Sequence, residues 1–476
     1  METTPIALTL FERLNRWIQE SIMVKLFSIG FLIIILLIPS SWIRDMIIER
    51  QQRADQAMSE VTDKWSGSQT ISGPVLVIPY RKQELIDHGK EGKEIREHTE
   101  KAFFLPEQLD IRGSINPQIL HRGIFDAVVY ESSLGVTSNF SQPKFKDLSI
   151  PDDMVLWNDA FIIFGISDLR GISDNPTIMV DNLPRHAEPS NNIGLTMKKN
   201  PDEGYSENTL ETHLSGNRNS DKGIIVKLNW ANADAFQENV SIKLKLKGSR
   251  RLDFVPVGKT TTVELHGPWG DPSFDGAFLP ASREISESGF TATWKVLHFN
   301  RPFSQQWVNE DQQLSDADFG VALLIPVDQY QKSIRTSKYG VLIILLTFIA
   351  LFLLEITQKL RIHPFQYILI GAALTIYYTL LLSFSEYVGY NAAYIIASLA
   401  TVVLLSLYSI TFLRNTKLAI LFSSLLSIFY AFIFVIILQQ DFSLLLGSIG
   451  LFIIVGLLMY SSRKVRWYKE TTPIQS

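Results

Sequence analysis

The residues best equipped for chemistry gather between positions 274 and 307. Arg283, Glu284, Trp294, His298 and Arg301 fall there, in a run that also carries Phe274-Asp275-Gly276-Ala277-Phe278-Leu279-Pro280 and Trp307. Guanidinium, carboxylate, imidazole and indole groups this close together can hold an anionic or sugar-like ligand by charge-assisted hydrogen bonds and stacking. A β-hairpin with core aromatics and snorkelling arginines has the same composition. The five residues are therefore candidate contacts for a ligand or partner, and none is assigned a catalytic role.

Elsewhere the spacing speaks against familiar reaction centres. The histidines (His88, His98, His121, His186, His213, His266, His298 and His363) are scattered, and the chain has no cysteine. No H-E-x-x-H, G-x-S-x-G or G-x-G-x-x-G string occurs. Gly258-Lys259-Thr260 ends like a phosphate loop, but Asp253 stands where the first glycine is needed, so a turn is expected. Ser141-Gln142-Pro143-Lys144 and Ser461-Ser462-Arg463-Lys464 match S-x-x-K. Proline disfavours a helix in the first, and the second lies in a basic tail. Asp152-Asp153 and Asp202-Glu203 read as solvated turns. No metal and no cofactor is expected.

These groups need a scaffold, and from residue 73 the chain reads as short β-type runs between turn residues: 74–80, 123–131, 160–166, 223–230, 240–247, 260–265, 289–297 and 319–327. Alternation is clearest at 240–247, apolar on one side and mostly lysine on the other, as in a half-solvated antiparallel strand. A sandwich-like or barrel-like β domain over residues 66–338 follows. Residues 187–222 read as a long exposed loop. Gly73–Pro79 echoes Gly320–Pro326, which suggests two neighbouring strands of one sheet. Residues 43–65 keep helical periodicity, with Ile43, Met46, Ile47, Ala54, Ala57, Met58, Val61 and Trp65 near one stripe. They are expected to form an amphipathic stalk packed on the domain or a partner.

The rest is membrane-like. Residues 26–42 form an apolar run with no signal-peptidase pattern behind it, so an uncleaved anchor is expected. Five further runs, near 339–356, 367–384, 392–412, 418–438 and 442–460, approach the ~20 residues a spanning helix needs. Lys359 and Arg361, Arg414 and Lys417, and Arg463, Lys464, Arg466 and Lys469 follow the first, third and fifth of these. The other two connections lack Lys and Arg, and basic loops stay cytoplasmic. Lys332, Arg335 and Lys338 dissent, but they end a long segment, and long segments cross regardless of charge. The expected layout is a cytoplasmic N-terminus (1–25), one span, the stalk, an outer β domain, a five-helix bundle (339–460) and a cytoplasmic tail (461–476). The fold class is a polytopic α-helical membrane protein, six transmembrane helices arranged one plus five, with a large, mainly β extracytoplasmic domain.

The span interiors hold no Asp, Glu, Lys, Arg or His, whereas ion-coupled transporters usually keep such groups there. Glu355 sits four residues before Lys359, a spacing suited to a helical pair. Small residues at four-residue spacing (Ala393, Ala397 and Thr401; Ser423 and Ser427) suit close helix packing. The balance of 44 basic and 48 acidic residues speaks against a nucleic-acid partner.

Several stretches together resemble the CreD family of bacterial inner-membrane proteins, described as cell envelope integrity proteins. They are Ile48-Glu49-Arg50-Gln51-Gln52-Arg53; Trp65 with Gln69-Thr70-Ile71-Ser72-Gly73-Pro74 and Pro79-Tyr80; Phe274–Pro280 with Gly289-Phe290-Thr291-Ala292-Thr293-Trp294; Pro326-Val327-Asp328-Gln329-Tyr330; Lys338-Tyr339-Gly340; His363-Pro364-Phe365-Gln366-Tyr367; and Ser383-Phe384-Ser385-Glu386. The resemblance implies an inner-membrane location, a periplasmic domain and expression under a two-component system linked to envelope stress. It implies no reaction and no catalytic residue. Three functions stay open: non-enzymatic support of envelope integrity through periplasmic or cell-wall partners, a ligand sensor or transport accessory coupling the outer domain to the bundle, and an enzyme acting on lipid or cell wall. Membrane lipids are expected partners, and the oligomeric state is left open.

Overall fold

The computed structural model describes residues 22–87, 93–195, 222–309, 312, 314–323, 329–358, 360–413, 415–439 and 442–463. The chain divides into two compact units, residues 55–326 and residues 1–54 with 327–476. Helix α1 (Ile22–Trp65) is continuous and begins with the expected apolar run.

The first unit is built from two sheets. In chain order its strands are β1 (Gln69–Asp87), β2 (Lys93–Phe104), β3 (Gln108–Arg122), β4 (Phe125–Asn139), β5 (Phe161–Ile166) and β6 (Thr177–Val180). There follow β7 (Leu183–Arg185), β8 (Ala187–Ser190), β9 (Gly223–Lys227), β10 (Asn239–Ser249), β11 (Arg251–Val255) and β12 (Thr260–Gly267). The last are β13 (Pro272–Gly276), β14 (Ser282–Ser286), β15 (Gly289–Leu297), β16 (Gln306–Val308) and β17 (Phe319–Leu323). One sheet runs β13-β17-β11-β1-β5-β9-β8, with β2 on β1 and β16 on β2. The other runs β14-β15-β12-β3-β4-β10-β6-β7.

The two sheets differ because their strands are patterned differently. β5 and β17 are continuous apolar runs, buried almost throughout, as strands covered on both faces must be, and β11 is as deeply buried although it carries Arg251 and Asp253. Short 3₁₀ turns at Phe145–Leu148, Asp152–Met154 and Trp157–Asp159 accompany an aromatic chain, Phe104–Phe145–Trp157–Trp230–Phe236, with ring centroids 5.3, 5.5, 6.2 and 5.3 Å apart. The Leu156 amide donates to the Pro79 carbonyl at 2.9 Å and so fastens this layer to β1. β10 and β12 alternate instead. They put Val240, Ile242, Leu244 and Leu246, and Val263 and Leu265, into the core and their polar residues outward.

Two expectations need correction here. The echoing segments lie in one sheet but are not neighbours. β11 runs between them, parallel to β1 with Gln69 opposite Leu252, and antiparallel to β17 with Phe254 opposite Phe319. Residues 187–190, assigned to a loop, form edge strand β8 on β9, with Ala187 opposite Val226. Residues 196–221 of that segment lie outside the described residues.

The lower end of α1 meets the β domain in a polar clasp. Asp168 accepts from the Ser66 hydroxyl at 3.0 Å, the Gly67 amide at 3.1 Å and Arg170 Nη2 at 2.8 Å. Buried Gln69 donates from Nε2 to Ser66 Oγ, the Asp168 carbonyl and the Lys247 carbonyl at 2.9–3.0 Å. Arg170 Nη1 donates to the Asp63 carbonyl at 2.8 Å, and Lys247 Nζ lies 4.4 Å from the Trp65 ring centre. Burial alone would raise the Asp168 carboxyl. Arg170, the Gly67 and Arg170 amides and Ser66 outweigh it and hold the group down at about 2. Gly171 fills the centre: a Cβ there would fall on Gln69 Nε2 and the Lys247 carbonyl.

The second unit is helical. After the start of α1 come α2 (Gln329–Lys338), α3 (Gly340–Thr357), α4 (Pro364–Val388), α5 (Tyr390–Leu413), α6 (Thr416–Leu438) and α7 (Ser443–Ser462). Among the described residues, five stretches are long and apolar enough to cross a membrane: Met23–Trp65, Gln329–Thr357, Pro364–Val388, Tyr390–Leu413 and Thr416–Leu438. The apolar part of α7, Leu445–Leu457, is shorter. Residues 329–338, read with the β-rich segment, form α2 and belong to this unit. Ala393, Ala397 and Thr401 are buried as expected. On α6 Ser423 is half-buried and Ser427 exposed, and the buried stripe is Phe422, Leu426, Phe429, Tyr430, Ile433 and Ile437. Arg50, which interrupts the apolar stripe of α1, lies 3.7 Å from Glu386, which also accepts from the Tyr330 hydroxyl at 3.3 Å.

Candidate binding groove on the β domain

The five residues singled out from sequence do not assemble into one site. Arg283 and Glu284 sit on the exposed edge strand β14, opposite Ala292 and Thr291 of β15. Consecutive strand residues point to opposite faces, so these two diverge. Trp294 is fully buried, 5.6 Å from Phe274 and 5.7 Å from Phe319 between ring centroids. It is a core residue. His298, in a 3₁₀ turn, packs on the exposed Phe299. Arg301 is buried and structural: it donates to the Phe303 carbonyl at 2.6 Å and to Gln305 Oε1 at 2.5 Å. Gln305 in turn donates to the Leu105 and Pro106 carbonyls at 2.9 Å. Burial without a carboxylate lowers the Arg301 guanidinium to about 10. Among the described residues, no hydrogen bond or ion pair joins any two of the five.

A groove appears instead on the solvent face of the eight-stranded sheet. Register places Glu264, Arg112, Gly135, Lys243 and Thr177 in one row across β12, β3, β4, β10 and β6. The next outward row is His266, Ser114, Ser133 and Lys245. The β4 column therefore carries Gly135 and Ser133 and the β3 column Ser114 beside Arg112, while Glu264 on β12 and Lys243 and Lys245 on β10 stand on either side. A trough is the geometric consequence, with Asp174 and Asn175 on the β10 side. At Gly135 a Cβ would meet only the Arg112 carbonyl, at 3.8 Å, so the floor is low there.

The rails carry both signs. Lys245 Nζ lies 3.3 Å from Asp174 Oδ2, and Arg112 Nε lies 3.8 Å from Glu264 Oε2. Lys243 has no ion pair among the described residues. Exposed pairs of this kind contribute little stability, which leaves their donors and acceptors free to exchange partners. The groove suits an extended polar chain that hydrogen-bonds along both rails. It has no buried nucleophile, and the described residues contain no group of three metal-ligating side chains. The lysine alternation at 240–247 was visible in the sequence. Its partners Arg112 and His266 were not, because they reach it only by strand register.

Two further charged clusters are structural in character. Glu100 accepts from the Tyr80 hydroxyl at 2.5 Å, Lys82 at 2.9 Å and His98 at 3.1 Å. Burial opposes the charge, but these donors hold the carboxyl at about 2. Asp253 is buried beside Arg251 at 3.1 Å, and Arg251 also reaches Asp275 at 3.1 Å. Here burial outweighs the arginine and raises Asp253 to about 6.

The family model "Inner membrane protein CreD" matches residues 21–468. The chain is 31% identical to the inner membrane protein CreD of Escherichia coli (strain K12) over 452 residues, covering 94% of each sequence.

Proposed function

Because this chain belongs to the family of the inner membrane protein CreD, we propose that it supports the bacterial cell envelope from the inner membrane without catalysing a reaction. In this reading both termini are cytoplasmic, α7 is the sixth span and the β domain lies in the periplasm. The alternating placement of Lys and Arg between the late apolar runs supports that orientation. Lys359, Arg414 and the basic residues from 464 onward lie outside the described residues, so this support is from sequence alone.

The observation that carries the functional reading is the groove: a trough floored by Gly135, Ser114 and Ser133 between charged rails. Such a surface recognises an extended polar envelope polymer, glycan or peptide, by hydrogen bonding along its length. The test uses a deletion strain complemented by the full-length chain. Replacing Lys243 and Lys245 together by Glu changes two exposed residues, so the protein should accumulate at the wild-type level while tolerance of envelope-disrupting agents falls to that of the deletion strain. Full complementation by this variant removes the groove from the proposal. A deletion strain with no envelope phenotype removes the proposal itself.

A further inference from the structure

A second site lies in the helical unit, at the end of the bundle where α1 and α4 begin and α3 ends. A pocket there is lined by Lys25, Ile29, Leu32, Glu355, Arg361 and His363. We propose that this pocket binds the phosphate head group of an anionic membrane lipid.

The argument starts from Glu355. Its side chain is 3% exposed and holds an ion pair with Lys25. Its oxygens also accept from the Ile362 amide at 3.0 Å and the Tyr367 hydroxyl at 3.1 Å. This fixes the Lys25 ammonium at the pocket wall. An ammonium has three protons, and one pairing leaves others for a ligand. Lys359, the partner suggested by helical spacing, lies outside the described residues. Arg361 is exposed in the α3–α4 connection and has no ion pair among the described residues. His363 accepts from the Phe365 amide through Nδ1 at 3.2 Å, so a neutral ring carries its proton on Nε2. With the Lys25–Glu355 charges cancelling, Arg361 leaves the pocket positive. Arginine is well matched to a phosphate because its planar fork bonds two oxygens at once.

The surroundings select a lipid over a free ion. Ile29 and Leu32 form an apolar wall. Leu26 and Phe27 of α1 and Phe365, Ile368 and Leu369 of α4 are exposed apolar side chains near the same end of the helices. Acyl chains lying along these residues would leave the head group at the donors.

The experiment uses the full-length protein in a neutral detergent, with lipid binding followed by native mass spectrometry and by thermal unfolding. Phosphatidylglycerol should bind at least about ten-fold tighter than phosphatidylcholine and raise the unfolding temperature in proportion. Arg361→Gln should abolish most of that preference, and Arg361→Lys should restore part of it. Both should keep the lipid-free unfolding temperature, since Arg361 is exposed. Equal binding of the two lipids overturns the proposal, as does a wild-type preference in Arg361→Gln. Stabilisation by millimolar inorganic phosphate equal to that by phosphatidylglycerol also overturns it, by making the ligand a soluble anion. None of these outcomes bears on the groove of the β domain.

Discussion

Replacing Asp168 by Asn should loosen the joint between α1 and the β domain, in a way that pH can read. The carboxyl lies at about 2 in the folded protein against an ordinary 3.8, which corresponds to roughly 2 kcal/mol. Arg170, its main partner, has a side chain 62% exposed, and screening there reduces the figure to about 1–2 kcal/mol. Asparagine keeps an acceptor for Ser66 and Gly67 but turns an amide toward the guanidinium. The sign follows from the depressed value. The contribution is complete above the unfolded value near 3.8 and is lost as pH falls through about 2. The wild-type advantage over Asp168→Asn should therefore stand at about 1–2 kcal/mol at pH 7 and vanish by about pH 2. Denaturant unfolding of both full-length proteins in detergent, followed by tryptophan fluorescence, measures this difference, and Trp65 lies at the clasp. Other acid-titrating groups, Glu100 among them, are common to both proteins and cancel. A difference that stays constant from pH 7 to pH 2, or is absent at pH 7, refutes the electrostatic account of the clasp.

Two further outcomes follow from the same packing. Gly171→Ala drives a methyl into Gln69 Nε2 and the Lys247 carbonyl, so it should cost about 1–3 kcal/mol of stability in the same unfolding assay. Asp253 behaves oppositely to Asp168. Its folded value is raised to about 6, so its contribution is present below the ordinary value near 3.8 and is lost as pH rises through about 6. Asp253→Asn should flatten that part of the stability profile between pH 4 and 7, and an unchanged slope would show that the carboxyl does not titrate there.

Much of the fold was legible because it rests on local periodicity. Each of the eight β-type runs overlaps a strand among the described residues, and the alternating lysines of 240–247 do face solvent. The apolar runs became helices at the expected places. Strand order was not legible. The echo of Gly73–Pro79 in Gly320–Pro326 reflects, as far as residue 323, two strands with the same burial, and β11 separates them because nothing in either sequence encodes which strand pairs with which. The five candidate contacts do not gather into one cluster, for a related reason. Arg283, Glu284, Trp294, His298 and Arg301 are close along the chain, but the β-pleat sends consecutive side chains to opposite faces. The core then took Trp294, and the backbone carbonyls took Arg301.

From its order of residues alone, this protein is committed to apolar helices flanked by charge and to a domain of short strands between turns. Hydrophobic patterning acts between near neighbours, and near neighbours are what a sequence displays. Only the tertiary structure decided which polar groups meet. Asp168 and Gln69 are 99 residues apart in the clasp, Lys25 and Glu355 are 330 apart, and Arg112 falls in one row with Lys243 only through the registers of three strands. Such pairings depend on how whole elements dock, a cooperative outcome of burying apolar surface in both units, and no single stretch of chain carries it.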